Sequence, residues 1–419
     1  METNVYVSLR DRPGSDEPGG SSVVRRVSST VVLLGVVSLL TDVSSEMVAS
    51  VLPLYLTAAV GLSTVAYGFL DGIYQGVSAF VRIAGGYAAD RGGQPKWVAV
   101  VGYGVSALSR IAMLPAAGFG AIVGVVTADR LGKGLRTAPR DALIAESSDP
   151  KMLGRAFGVH RTLDTIGAAI GPIVAFALLA AVPNSYDSIW VVSFAVAVAG
   201  LAVLVLFVPN LRTTSGKARI GLRRAMREIG ARPLRKPLIA AGVLGLLTVG
   251  DGFLYLALQD RDNFAATYFP LLYVGTNIAY LLLAVPLGRL ADRVGRAKVL
   301  VFGHGALLAA YLLAALPAGG LGLTLGTLLL LGVFYAATDG VLPALVSRLV
   351  PAEARGSGIS AAQTVVALAR FASSLTFGLF WAVQGPTWSL LVFGVLLAAA
   401  IPASWWLLRG IDRTAVVTA

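Results

Sequence analysis

The chain is poor in the residue types that carry most enzyme chemistry. It has no cysteine, which excludes disulfides, thiolate metal sites and a cysteine nucleophile. Its two histidines, His160 and His304, are far apart in the sequence and do not predict a metal site. The glycine-rich stretch near 318–326 lacks the Lys-Ser or Lys-Thr pair of a phosphate-binding loop. The sequence therefore predicts no metal, no cofactor and no enzyme.

Charged residues are also scarce. Only 13% of the 419 residues are charged and 56% are hydrophobic, whereas a typical soluble domain has roughly 25% charged residues. The apolar residues form runs of about 20, the length that a helix needs to cross a bilayer. We therefore predict an all-α membrane protein with twelve transmembrane helices, near 31–58, 64–89, 97–116, 119–146, 155–181, 189–208, 238–258, 266–290, 299–316, 321–346, 356–382 and 388–408.

The distribution of Lys and Arg predicts the orientation. Nearly all cations outside the predicted spans lie in the two tails and in alternate loops, and the opposite loops hold only Arg261. By the positive-inside rule both termini are expected in the cytoplasm, with the chain in the inner (plasma) membrane. The net charge of +12 is then a topology signal, and no nucleic-acid partner is expected.

The same pattern predicts five segments. Residues 1–27 are expected to be a disordered cytoplasmic tail, 28–208 a six-helix bundle, 209–237 a basic linker, 238–410 a second six-helix bundle, and 411–419 a short tail. Within the linker, a lipid-facing amphipathic helix and a solvated segment are both open interpretations. A monomer is expected.

The two halves contain a repeated loop. Gly86, Asp90, Arg91, Gly93 and Lys96 recur at a constant offset of 202 residues. Because each half has six predicted crossings, the repeats would be parallel and related by a pseudo-two-fold axis along the membrane normal. A solute site is expected between the halves near the midplane.

The repeated loops resemble a known signature. GRLADRVGRAK at 288–298 is similar to the loop between the second and third helices of each half in the major facilitator superfamily, and GGYAADRGGQPK at 85–96 is similar to its first copy. Gln94 and Pro95 stand where that family usually has basic residues. The resemblance covers about residues 30–410 and implies a transporter.

Two further motifs carry the resemblance. ADRLGKG, with Arg130 and Lys133, is similar to a fourth-helix motif whose arginine is tied to proton coupling in the family. GAAIGPIVA, with Gly167, Gly171 and Pro172, resembles the fifth-helix motif of the antiporter branches. The resemblance implies a drug or metabolite:proton antiporter-like branch. Helix packing alone is an equally open interpretation of the glycines.

The loop motif also has a physical interpretation. Asp90 and Asp292, followed by Arg91 and Arg293, could each meet the positive N-terminus of a neighbouring helix and close the inner side. The alternative is that these charges only fix topology. In the fifth helix, Arg161 and Asp164 lie three residues apart and are expected to form a gate or a structural pair.

Ionisable residues inside the membrane give the most specific prediction of a functional site, because a charge in lipid is costly unless it faces a cavity or a partner. Asp42 and Glu46 lie four residues apart on one face of the first helix, and a carboxylate pair is suited to proton binding. Arg130 and Lys133 could balance them. Simple pairing of each carboxylate with an arginine is the alternative.

Three more intramembrane charges are candidates. Asp71 and Asp251 are expected to face the cavity from the two halves. Arg370 needs either an acidic neighbour or an anionic solute.

We predict proton-coupled export of a small drug-like compound or metabolite by alternating access. Uptake or exchange of an anionic metabolite is the alternative, and a non-transporting sensor or membrane enzyme is a remote one.

Overall fold

A computed structural model describes residues 27–77, 94–149, 152–211, 232–350 and 355–414. Within these ranges the secondary structure is helical, with no strand. Asp90 and Arg91 lie outside the described residues, as do residues 1–26, residues 212–231 of the linker, and the last five residues of the chain.

The first group of helices begins at Ser28, whose side chain caps the helix by accepting a hydrogen bond from the backbone N–H of Thr30. The first helix, α1, continues through a short helix at Leu52–Leu54 and a π turn at Tyr55–Ala59. The described helices of this group are α1 (Ser29–Ala49), α2 (64–77), α3 (Pro95–Ala112), α4 (Gly118–Glu146), α5 (Leu153–Ala181) and α6 (Tyr186–Phe207).

The second group differs from the prediction at its first span. The expected helix over 238–258 is two helices, because the backbone leaves the helical path at 248–250. The described helices are α7 (Arg232–Leu246), α8 (Asp251–Asp262), α9 (Phe269–Val294), α10 (Arg296–Ala315), α11 (Leu321–Thr338), α12 (Val341–Ser347), α13 (Arg355–Leu408) and α14 (Ile411–Thr414). Gly385, with φ of 79°, divides α13 into two helices.

The surface of the helices is apolar, as lipid contact requires. Leu206, Leu282, Leu321 and Val383 are each at least 70% exposed. Among the described residues, eight helical stretches are long and apolar enough to cross a membrane. The charged helix α4 is not one of them, and one of the eight contains both parts of α13. A multi-pass all-α membrane protein is confirmed, whereas the twelve-helix count and the two-fold repeat stay predictions.

Helix contacts divide the structure into two groups. α1 packs along α5 and α6, and α3 packs along α4, whereas α7 packs along α13 and α11 packs along α9 and α10. Gly167 of α5 lies against the backbone of Leu39, and Gly171 lies against Val43, where an added Cβ would be 2.7 Å from the carbonyl oxygen. Because both numbers rise together, α1 and α5 run in parallel, with Pro172 inside α5.

The two groups meet on the side at which α1 ends. Thr64 at the start of α2 donates a hydrogen bond of 3.1 Å to the carbonyl oxygen of Gly378 in α13. The rings of Phe176 in α5 and Tyr268, just before α9, stack with centroids 6.0 Å apart. The Tyr67 ring packs edge-on against Phe253 of α8 at 4.7 Å. This interface shuts the side of the molecule that is opposite to the start of α1.

Candidate functional site

A cavity of about 350 Å³ lies between the two groups of helices. Four helices of the first group line it, namely α1, α2, α4 and α5, and so do α8, α9 and α11 of the second group. Of the predicted cavity residues, the lining includes Glu46, Asp71, Lys133 and Asp251. The structure therefore brings together four predicted charges that are up to 205 positions apart in the chain, from Glu46 to Asp251.

A second cavity of about 580 Å³ continues from the first. Gln75, Arg161 and Asp339 line both cavities. The second cavity contains Arg370 and extends along α7 and α12 toward the side at which α1 starts. The Arg161 side chain is 71% exposed on that side, so among the described residues the connected space is open there. The contacts between the two groups shut the opposite side.

Glu46 and Lys133 face the first cavity without a direct partner. Neither side chain makes a hydrogen bond or an ion pair with another residue in the described ranges, although each lies in the electrostatic field of the other. Both are only partly exposed. A carboxylate and an ammonium group that line the cavity without a direct partner are available to water, a proton or a solute.

The Asp42 carboxylate has different neighbours from the Glu46 carboxylate. Its carboxylate lies 4.0 Å from the guanidinium of Arg136 and within hydrogen-bonding reach of the Asp164 carboxyl group. Two carboxyl groups this close can share one proton. Asp42 therefore lies one helical turn before Glu46 and pairs with Asp164 of α5, whereas Glu46 faces the cavity itself.

Arg130 is part of a buried ion network. Asp129 accepts hydrogen bonds from the neighbouring Arg130 guanidinium and lies 2.8 Å from Arg110 of α3. The Arg130 guanidinium also stacks on the Tyr74 ring at 3.7 Å, and Arg110 donates a hydrogen bond to Ser45. Arg130 thus binds Asp129 directly, and reaches Glu46 only through longer-range electrostatic attraction.

Asp71 and Asp251 are hydrogen bonded across helix boundaries. Asp71 accepts a hydrogen bond of 2.5 Å from Ser374 of α13 and packs against Gly250, where α8 begins. Asp251 accepts a hydrogen bond of 2.5 Å from Tyr335. The break before α8 gives Asp71 of the first group room to reach the second group, so this contact links the two groups.

Arg370 has no ion-pair partner within the described part of the chain. Its Nε atom is buried without a hydrogen bond, and its guanidinium lies about 6 Å from the ring centres of Phe334 and Tyr335. Asp251 and Asp339 attract it at longer range.

Arg161 and Asp164 form the expected contact, with 3.1 Å between nitrogen and oxygen. Asp164 is also 3.9 Å from Arg140, which donates a hydrogen bond to Ser38 of α1. Across the opening, Asp339 of α11 lies in the electrostatic field of Arg161. The pair therefore stands at the open mouth of the space between the two groups.

The second loop motif does not make the predicted contact in this arrangement. Asp292 lies 2.8 Å from Arg296 and is exposed, as is Arg293. The N-terminus of α10 is occupied instead by Asp412, which accepts hydrogen bonds from the backbone N–H groups of Arg296 and Ala297. Within the described ranges, the ion-pair partner of Asp292 is thus Arg296 of its own group.

Sequence reasoning missed several cavity residues. Asp339 lies within a predicted span, so the criterion that selected Asp251 applies to it as well. Tyr273, Asn277 and Tyr280 follow helical spacing along one face of α9, and this pattern was the available signal. The other cavity tyrosines come from separate helices, and only the fold brings them together: Tyr67, Tyr74, Tyr255 and Tyr335.

The chain is similar in sequence to known membrane transporters. The family model of the Major Facilitator Superfamily matches residues 34–374, with a second match over 254–417. An uncharacterised MFS-type transporter of Methanocaldococcus jannaschii is 29% identical over 372 residues, which cover 86% of this chain and 90% of that protein.

Solved structures show the same fold at low identity. The nucleoside transporter NupG superposes with a TM-score of 0.79 at 15% identity, covering 91% of this chain and 99% of the other. A POT family transporter in complex with 5-aminolevulinic acid gives a TM-score of 0.77 at 13% identity, covering 93% and 97%.

Proposed function

Since this chain belongs to the Major Facilitator Superfamily and is a membrane transporter, not an enzyme, we propose that it exports a small organic compound in exchange for protons. Alternating access of one central cavity is the proposed mechanism. Residues 28–208 and 238–410 would be the two moving domains of a monomer in the inner membrane, with both termini in the cytoplasm.

The observation that carries the proposal is the cavity between the two groups of helices, open on one side and shut on the other. Rocking the groups about this cavity would expose it to the opposite side. The contacts that shut one side include hydrogen bonds between the two groups, such as Thr64 with Gly378 and Asp71 with Ser374. In the proposed mechanism they are exchanged for contacts at the open mouth.

Proton coupling is supported by the carboxyl groups of α1. Asp42 shares its surroundings with Asp164, Arg136 and Lys133, and Glu46 with Lys133 and Arg130. Adding a proton to Asp42 or Glu46 changes the charge balance against α4 and α5. Because α5 also carries Arg161 at the mouth, the same proton biases which side closes.

Everted vesicles energised by respiration test this function, with ethidium as the probe and its fluorescence as the readout. We expect uptake that a protonophore abolishes and that is lost in both Asp42→Asn and Glu46→Gln. The control is Asp260→Asn, the same change at an exposed carboxylate of α8 outside the cavity. Uptake that resists the protonophore would refute proton coupling. Uptake that persists at full rate in both variants would remove Asp42 and Glu46 from the coupling mechanism.

Arg370 supports the second candidate function, uptake or exchange of an anionic metabolite. Its buried Nε lacks a partner in the described ranges and its side chain lines the larger cavity. Faster entry of radiolabelled benzoate into cells that express the protein, lost in Arg370→Gln, would favour this function over export.

A further inference from the structure

The central cavity has more negative than positive groups. Its lining includes two cations, Lys133 and Arg161, and five carboxylates: Glu46, Asp71, Asp164, Asp251 and Asp339. Asp164 and Arg161 pair at 3.1 Å and offset each other. Four carboxylates then remain against the single ammonium group of Lys133.

The remaining carboxylates differ in their bonding. Asp71 and Asp251 accept hydrogen bonds from the neutral hydroxyl groups of Ser374 and Tyr335, which satisfy one oxygen each and add no positive charge. The carboxylates of Glu46 and Asp339 make no direct hydrogen bond or ion pair with other described residues. They approach the cavity from opposite groups of helices, Glu46 from α1 and Asp339 at the end of α11. A positive group in this cavity would relieve a costly excess of negative charge.

One wall of the same cavity is aromatic. Tyr273 and Tyr280 lie seven residues apart on the cavity face of α9, with Asn277 between them. Tyr255 packs edge-on against Tyr273 with ring centroids 4.6 Å apart. Tyrosine faces attract ammonium groups and provide apolar area for a flat ring.

Arg370 in the adjoining cavity does not reverse this balance. Three carboxylates, those of Asp71, Asp251 and Asp339, lie close enough to interact with it electrostatically. An anion bound beside Arg370 would experience their repulsion as well as the attraction of the guanidinium. The charge distribution of the connected space thus favours a positive solute over a negative one.

We propose that the central cavity binds an organic cation, whose positive group is attracted by the cavity carboxylates, including Glu46 and Asp339, and whose aromatic body lies against the tyrosines of α9. This inference rests on the proposed transport function and names its substrate class.

Equilibrium binding to the purified full-length protein tests the inference without any ion gradient. Isothermal calorimetry compares two pairs of probes that are similar in shape and opposite in charge: phenyltrimethylammonium with benzenesulfonate, and tetraphenylphosphonium with tetraphenylborate. In at least one pair we expect the cation to bind about tenfold more tightly or better. Equal or tighter binding of the anions overturns the inference, and so does the failure of both cations to bind.

Variants locate the site. Asp339→Asn and Tyr280→Leu should each weaken the binding of that cation by about three- to tenfold, whereas Tyr280→Phe keeps the ring and should bind like the wild type. Asp260→Asn is again the matched control. If Asp339→Asn is not monodisperse, Glu46→Gln makes the same comparison. Wild-type affinity in all these variants would overturn the placement.

The two proposals fail in different ways. Cation binding without protonophore-sensitive transport would remove the proton-coupled export and leave the site. Proton-coupled transport by a protein that prefers the anionic probes would remove the organic-cation site and leave the transport function.

Discussion

Helix α4 carries charges of two kinds within one turn of each other. Asp129 and Arg130 are buried and bonded, to each other and to Arg110. Lys133, three residues later, faces the cavity and has no direct partner among the described residues. The comparison shows that an intramembrane charge need not mark a solute site, because a buried network can neutralise it. The charges that lack a partner are the better guide to function.

The largest effect should come from breaking the bonded charges. Asp129→Asn leaves the guanidinium groups of Arg110 and Arg130 buried with only a neutral amide between them. Removing one member of a buried ion network typically costs about 3–5 kcal/mol. We expect a much lower melting temperature in detergent and a small monodisperse fraction by size exclusion. A variant as stable as the wild type would show that the network contributes nothing to the fold.

A smaller loss is expected where the α1–α5 contact positions Glu46. An added Cβ at Gly171 would lie 2.8 Å from the Glu46 Cβ and 2.7 Å from the Val43 carbonyl oxygen. Gly171→Leu should cost about 1–3 kcal/mol, because the two helices must separate. Thermal unfolding measures this loss. Gly124→Leu is the matched control, since an added Cβ there meets no atom within 4 Å.

The sequence did not reveal which intramembrane charges are bonded to each other and which face the cavity. The apolar runs predicted helices, and the family motifs predicted the fold, because both are local in the chain. The neighbour of Asp42 is not local: the spacing of four pointed to Glu46, but the structure brings Asp164 from α5 beside it. The same limit applies to Arg130, whose direct partner is the adjacent Asp129 and not an acid of α1.

The break before α8 was missed for a related reason. Thr248, Val249 and Gly250 are apolar or small and look like part of a continuous span. The contacts at the break come from distant parts of the chain: the Tyr311 hydroxyl bonds to the backbone of Val249 and Leu247, and the Asp71 carboxylate lies beside Gly250. Asp339, by contrast, could have been found from the sequence, because it is an ionisable residue within a predicted span.

Glu46→Gln should change stability by less than about 1 kcal/mol, because no direct bond of the carboxylate is lost. Function should change far more, with loss of the protonophore-sensitive component of ethidium transport. The two measurements together separate a solute-facing charge from a structural one. A melting temperature as low as that of Asp129→Asn would place Glu46 with the bonded charges of α4.

The smallest effect on stability is expected for Arg161→Gln. The Arg161 side chain is 71% exposed, and exposed ion pairs contribute about 0–1 kcal/mol.

Arg140 reaches the same carboxylate of Asp164, but its side chain is only 17% exposed and it also bonds to Ser38 and Asp141. Arg140→Gln should therefore lower the melting temperature clearly more than Arg161→Gln. Because both substitutions remove one guanidinium beside the same carboxylate, the difference between them measures burial and additional bonding, the properties that separate the two kinds of charge on α4. Equal shifts in the two variants would mean that proximity to Asp164 alone decides the effect.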